Sequence, residues 1–189
     1  MARFVFWTSA AFVLYTYVGY PILLWVLRRL YQQPVRKSPG EPSVSLLIAA
    51  YNEADVIADK LRNSLALDYP PDRLEIVVAS DGSTDDTAAI VSALAEGERT
   101  GRIRLLAFDA NRGKINVLND AVPHLRGEIV AFSDASSLLT PSAIRELVAN
   151  FSDPTVGAAS GVYQVPCSTC SGAWLVFSRF SIAVFCRLM

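Results

Sequence analysis

A chain of 189 residues has room for one globular domain and a further segment, and with 17 basic against 18 acidic side chains its net charge is only −1. A near-neutral chain whose basic residues form no stripe gives no electrostatic case for nucleic acid. The cysteines, Cys167, Cys170 and Cys186, offer zinc no second ligand pair, since His124, the only histidine, lies far away in a helical pattern; reduced, inert thiols are the expectation.

Residues Phe4 to Leu27 contain no Lys, Arg, Asp or Glu, and as a helix this run would span roughly 36 Å, enough to cross a bilayer. A cleaved secretory signal would need a shorter apolar region and a small-residue cleavage site, and Trp25-Val26-Leu27-Arg28-Arg29 supplies none. Arg28, Arg29, Arg36 and Lys37 follow the helix while only Arg3 and the terminal amine precede it. The positive-inside rule therefore places the rest of the chain in the cytoplasm, with the basic cluster against the lipid headgroups of an inner or plasma membrane. A linker rich in Pro and Gly, to Pro42, comes next.

From Ser43 the pattern alternates. Val44 to Ala50 reads as a buried strand, and a helix over about Glu53 to Leu67 follows, with Val56, Ile57, Leu61 and Leu65 at helical spacing. Leu74 to Ala79 is a second strand, after which Ser83 and Asp86 in capping-box spacing predict a helix start. Ile103 to Phe108 is a third strand, Asn111-Arg112-Gly113-Lys114 leads into another helix, and Glu128 to Ser133 is a fourth strand. Thr140-Pro141 opens a helix carrying Ile144, Leu147, Val148 and Phe151. Near-continuous apolar strands separated by helices predict an α/β fold, a mostly parallel sheet covered on both faces. The expected division is a transmembrane helix over 4–30, a linker over 31–42, the α/β domain over 43–162 and an atypical tail over 163–189.

Three of these strands deliver acidic groups at their carboxyl ends, the usual place for a ligand crevice in an open α/β sheet. The first runs into Tyr51-Asn52-Glu53, the second into Asp81, and the fourth into Asp134-Ala135-Ser136. Asp81 either caps the following helix or faces a ligand; with Ser83 expected to cap and Asp85 and Asp86 to complement the dipole, the ligand reading is favoured. Asp134 either ends its strand in an Asx turn or coordinates a divalent cation, with the Ser136 side chain on the same side if the chain stays extended. Arg112, Gly113 and Lys114 at a helix start suit a phosphate, or are simply solvated charges. Neither the Walker nor the dinucleotide glycine spacing is present.

Taken together, Ala50-Tyr51-Asn52-Glu53, Ser80-Asp81-Gly82-Ser83-Thr84-Asp85, Asn111-Arg112-Gly113-Lys114 with Asn119, and Ser133-Asp134-Ala135-Ser136 resemble the family 2 glycosyltransferases with the GT-A fold. The likeness is greatest to the membrane-anchored cellulose, hyaluronan and poly-N-acetylglucosamine synthases and covers about residues 43 to 162. It implies a Rossmann-like GT-A domain that transfers a sugar from a nucleotide sugar, a UDP-sugar first of all, to a glycan or lipid acceptor in polysaccharide biosynthesis. It implies further that Tyr51, Asn52, Glu53, Asp81, Lys114 and Asp134 bind the nucleotide sugar, with Asp81 at the uracil. Asp134 would be the first acid of a metal-binding Asp-x-Asp for Mg²⁺ or Mn²⁺, with Ser136 in place of the second.

Inverting transfer, the family's usual mode, also needs a general base beyond the Asp-x-Asp. After Ser136 the only acids are Glu146 and Asp153, neither placed like that base, so the chain is expected to hold the donor-binding half alone and to be inactive by itself. The family pattern is expected to break near Gln164 to Cys167, as a truncation or a shifted reading frame would produce, with a second membrane contact through Trp174 to Met189 as the rival account. Two other functions stay open: a non-catalytic, membrane-tethered nucleotide-sugar binder, and a nucleotidyltransferase, whose usual glycine-rich loop after the first strand is absent.

Overall fold

The structure, a computed structural model, describes residues 1–31, 34–98 and 100–161 in full and residues 184–187 by their backbone. Its contacts divide the chain into two units, Met1–Val35 and Arg36–Met189. The first is helical: α1 (Ala2–Leu14) and α2 (Tyr20–Tyr31) are joined by a π-helical turn at Tyr15–Gly19. The run Ala2–Tyr31, 30 residues, is long and apolar enough to cross a membrane, and neither α-helix has a buried residue. The wide turn falls where Gly19 leaves room for an aromatic ring, since a Cβ there would lie 2.9 Å from Tyr15 Cδ2.

The second unit is built of β1 (Val44–Ala50), α3 (Ala54–Leu65), β2 (Leu74–Asp81), α4 (Thr87–Gly97), β3 (Ile103–Phe108), α5 (Lys114–Ala121), β4 (Ile129–Asp134), α6 (Ala143–Val148), β5 (Ala158–Ser160) and β6 (Val184–Arg187). The strands form one sheet in the order β3-β2-β1-β4-β6-β5. The first four run parallel, while β6 lies antiparallel to β4 and β5 antiparallel to β6. This is the doubly covered α/β sheet that the apolar strands predict. Leu46 and Ile48 of β1 pack with Ile57 and Leu61 of α3 and Val91 of α4. Leu47 packs on the opposite face with Val77, Val117 and Val130. A strand buried on both sides cannot alternate with polar residues, so it reads as a continuous apolar run.

The structure departs from the sequence expectations at several element ends. Strand β2 continues two residues further, to Asp81, and α4 starts at Thr87 rather than Ser83. Ser83 does not cap it: its hydroxyl is engaged by Ser80 Oγ at 2.9 Å and by the Asn52 amide at 3.2 Å. Helix α5 stops at Ala121 and tightens into a 3₁₀ turn at Val122–His124, carrying Pro123. Part of the tail joins the sheet as β6, whereas residues 162–183 lie outside the described residues, and with them the predicted break near Gln164 to Cys167 and most of the alternative membrane contact.

Candidate active site

The register sets Ala49 beside both Ala79 and Asp134, and Ala50 beside Ser80, so β1, β2 and β4 end level. Val77 and Ala79 of β2 and Val130 and Phe132 of β4 all pack toward α5. Alternation along a strand then projects Asp81 and Asp134 from that same face of the sheet. Both reach one loop, 111–114, which leads into α5.

Asp81 is only 4% exposed, and its two oxygens accept the amides of Arg112 at 2.9 Å and Gly113 at 2.8 Å. It is therefore neither a helix cap nor an unengaged carboxylate; it fastens the loop. Each oxygen keeps a second lone pair for a ligand. The turn after Asp81 depends on Gly82, whose φ is +66° and where a Cβ would meet Asn111 N at 2.5 Å. Within the loop, Arg112 forms an ion pair with Asp120, and the Asn116 side-chain Nδ2 donates to the Arg112 carbonyl at 2.6 Å. The Lys114 ammonium pairs with Asp134.

The β1–α3 loop is knitted to the β2–α4 loop. Asn52 adopts a positive φ of 53°, a conformation asparagine tolerates better than most residues, and its Oδ1 accepts the Thr84 amide at 2.8 Å. The Glu53 amide donates to Thr87 Oγ1 at 2.9 Å and the Ala54 amide to Asp85 Oδ2 at 3.0 Å. Asp85 Oδ1 in turn accepts the Thr87 amide and hydroxyl. The Thr87 hydroxyl above all holds the Asp85 carboxyl below its ordinary range. Tyr51 is exposed, and among the described residues no hydrogen bond engages the Glu53 carboxylate. The helix-capping roles that the spacing assigns to Ser83 and Asp86 thus pass to Asp85.

The chain does not stay extended beyond Asp134. The Ser137 amide donates to the Asp134 carbonyl at 3.2 Å, closing a turn, so the geometry that would align Ser136 with Asp134 along a strand is absent. Ser133, just before Asp134, is 5% exposed, and Lys60 of α3 is fully buried below it. The Lys60 ammonium donates to Ser133 Oγ at 2.7 Å and to the Ser137 carbonyl. Burial lowers the Lys60 pKa to about 8, against the opposing pull of Asp134. One turn further along α3, Asn63 exchanges two hydrogen bonds of 2.9 Å with the Leu139 backbone. A cleft of about 320 Å³, lined by Lys114, Ile115, Leu118, Asn119, Val122, Phe132, Ser133 and Asp134, opens beside the Lys114–Asp134 pair.

A family model described as "Glycosyl transferase family 2" matches residues 45–178. This chain belongs to glycosyl transferase family 2. It is similar to the poly-beta-1,6-N-acetyl-D-glucosamine synthase of Staphylococcus epidermidis, 28% identical over 158 residues, 75% of this chain and 37% of that protein. It also resembles the beta-monoglucosyldiacylglycerol synthase of Synechocystis, 35% identical over 117 residues, 62% of this chain and 24% of that one. Among solved structures, the Pyrobaculum calidifontis mannosyltransferase in complex with GDP-Man and Mn²⁺ superposes with a TM-score of 0.69 at 36% identity, covering 79% of this chain and 45% of that one. Staphylococcus aureus TarS shares the fold, with a TM-score of 0.57 at 21% identity over 77% of this chain and 47% of its own. The chain thus spans less than half the length of these relatives.

A divalent cation fits this family 2 site in one way only. Among the described residues no three His, Cys, Asp or Glu side chains gather into a metal cage. Asp134 supplies a single half-exposed carboxylate, now shared with Lys114. Such a donor set suits a hard cation that keeps most of its ligands from phosphate and water. The residue that sequence reasoning missed is Lys60. It stands between Ile57, Leu61 and Ser64 on the buried face of α3, and a lysine on an inward stripe was the available signal.

Proposed function

We propose that this chain is the nucleotide-sugar-binding part of a membrane-anchored glycosyltransferase that moves a sugar from a nucleoside diphosphate, uridine diphosphate first of all, to a polysaccharide or lipid acceptor. One observation carries the reading: Asp81 and Asp134, from two different strands, converge on the loop 111–114 at the carboxyl edge of the sheet. In this reading Tyr51, Asn52 and Glu53 line the base and ribose side, and Asp81 accepts from the uracil ring N–H with lone pairs that the loop amides leave over. Lys114 turns from Asp134 to the phosphates as the nucleotide arrives. Asp134, with Ser136 nearby, holds Mg²⁺ or Mn²⁺, which when bound neutralises the charge on the departing diphosphate.

The helix Ala2–Tyr31 anchors the chain, and the arginines of its last turn, Arg28 and Arg29, favour a cytoplasmic domain. Binding without turnover is the expectation for this chain alone. Of the two acids after Ser136, Glu146 accepts the Ser142 hydroxyl at 2.6 Å, and Asp153 accepts the Arg36 amide and the Thr155 amide and hydroxyl. Both are engaged in hydrogen bonds that hold the fold, which favours a donor-binding role over catalysis of the inverting step.

Calorimetric titration of the chain with UDP, UDP-sugars and GDP-mannose, with and without Mn²⁺, tests the reading. UDP should bind and sugar should not be released. Asp81→Asn should weaken UDP more than tenfold whether or not metal is present, while Asp134→Asn should lose chiefly the metal-dependent part. Equal, metal-independent losses from both variants would contradict the roles, and tighter binding of the guanine donor would reassign the base.

A further inference from the structure

Helix α3 contributes nothing to the crevice directly, yet two of its polar side chains reach the loop that carries Asp134 and Ser136. At the loop's entry, the Lys60 ammonium bonds Ser133 Oγ and the Ser137 carbonyl, bracketing Asp134 to Ser136 from both sides. At its exit, Asn63 pairs through its side-chain amide with both the N–H and the C=O of Leu139. Residues 60 and 63 lie one turn apart, so one rigid helix face grips the loop at both ends. That helix is itself fixed against β1 and α4 through Ile57 and Leu61, which have no exposed surface.

A fully buried ammonium is an expensive way to close a turn, because an alkyl side chain would fill the same space without desolvating a charge. Here the ammonium satisfies a carbonyl and a hydroxyl that the turn leaves facing inward. Ser64, one turn on, satisfies its own buried hydroxyl by bonding back to the Lys60 carbonyl at 2.8 Å. We propose that Lys60 and Asn63 are positioning residues for the cation site, holding the 133–139 segment so that the Asp134 carboxylate faces the diphosphate. The proposal rests on the reading of Asp134 as the cation's protein ligand. Groups behind a metal ligand that fix its orientation typically account for ten- to a hundredfold in metal affinity.

Lys60 is also a cation that interacts with Asp134 through space, and this gives the test a sign. If Lys60 were only a neighbouring charge, its removal would tighten binding of a second cation at Asp134. If it positions the loop, removal must weaken that binding.

The experiment is Mn²⁺ titration of the full chain in detergent micelles saturated with UDP, with free Mn²⁺ read by electron paramagnetic resonance. Lys60→Met keeps an unbranched apolar stem in place of the buried ammonium, Asn63→Ala removes the second grip without changing charge, and Asp134→Ala is the reference. Lys60→Met and Asn63→Ala should each weaken Mn²⁺ roughly tenfold or more, with circular dichroism and metal-free UDP affinity unchanged. Unchanged or tighter Mn²⁺ binding by a folded Lys60→Met chain overturns the proposal; should that variant not fold, the same outcome in Asn63→Ala overturns it. If Asp134→Ala meanwhile weakens Mn²⁺, the reading of the donor site survives. Loss of no affinity in Asp134→Ala removes that reading and this proposal together.

Discussion

The carboxylate of Asp85 accepts the Ala54 amide from the head of α3 and the Thr87 amide and hydroxyl from the head of α4, so a single side chain ties the β1–α3 and β2–α4 connections. The Thr87 hydroxyl holds its folded pKa below the ordinary value of 3.8. A depressed carboxyl stabilises the fold above its unfolded pKa and loses that contribution as pH falls through the folded one. The melting temperature of Asp85→Asn should therefore lie below the parent's by a constant margin from pH 7 to about pH 5, and the two curves should close only below about pH 4. Calorimetry across that range checks it. The sequence makes Asp85 visible only as one acid among neighbours, because its partner Ala54 stands 31 positions away. Asp81 was legible as the end of an apolar strand before a glycine, but its grip on the amides of residues 112 and 113 was not, for the same reason of distance along the chain. Lys60 left a trace only as a charge out of place on an apolar stripe.

Among the elements, strands were easier to read than helix starts. Strands β1, β2 and β4 are buried on both faces and the edge strand β3 is partly buried, so apolar composition marks them, whereas Ser, Thr and Asp near a helix start invite a local capping reading. Here Ser83 and Asn52 bond across to another loop instead, and the N-cap of α4 is Asp86, three residues later than the capping-box spacing suggests. The turn that makes this crossing possible hinges on Gly82. Gly82→Ala would place a Cβ 2.5 Å from Asn111 N at a φ of +66°, combining left-handed strain with a backbone collision. The cost should be at least ~2 kcal/mol, measurable as a lower urea midpoint at an unchanged slope, and the displaced loop should also weaken UDP.

At the scale of the whole molecule, the stretch before β1 is more than a spacer. The Arg36 amide donates to Asp153 Oδ2 at 3.2 Å, the Ser152 hydroxyl to the Ser38 carbonyl at 2.8 Å, and Arg145 pairs with Glu41 at 2.7 Å. The Tyr69 hydroxyl donates to the Pro42 carbonyl at 2.6 Å, and burial, the largest cause, pushes its pKa up to about 12. Proline and glycine in residues 34–42 read as a linker, since bonds to partners a hundred positions away leave no mark on local composition. A chain starting at Arg36 should therefore melt several degrees above one starting at Ser43, as scanning calorimetry of the two would register.

The attachment of the 112–113 amides to Asp81 has a consequence for engineering donor choice. If Asp81 reads the base and Lys114 meets the phosphates, as proposed, replacing that aspartate to change the nucleobase preference would also release the Arg112 and Gly113 amides beside Lys114, so the two functions could not be tuned separately there. On the same proposed reading, Tyr51, whose exposed side chain makes no hydrogen bond among the described residues, is where a redesign for another base would begin.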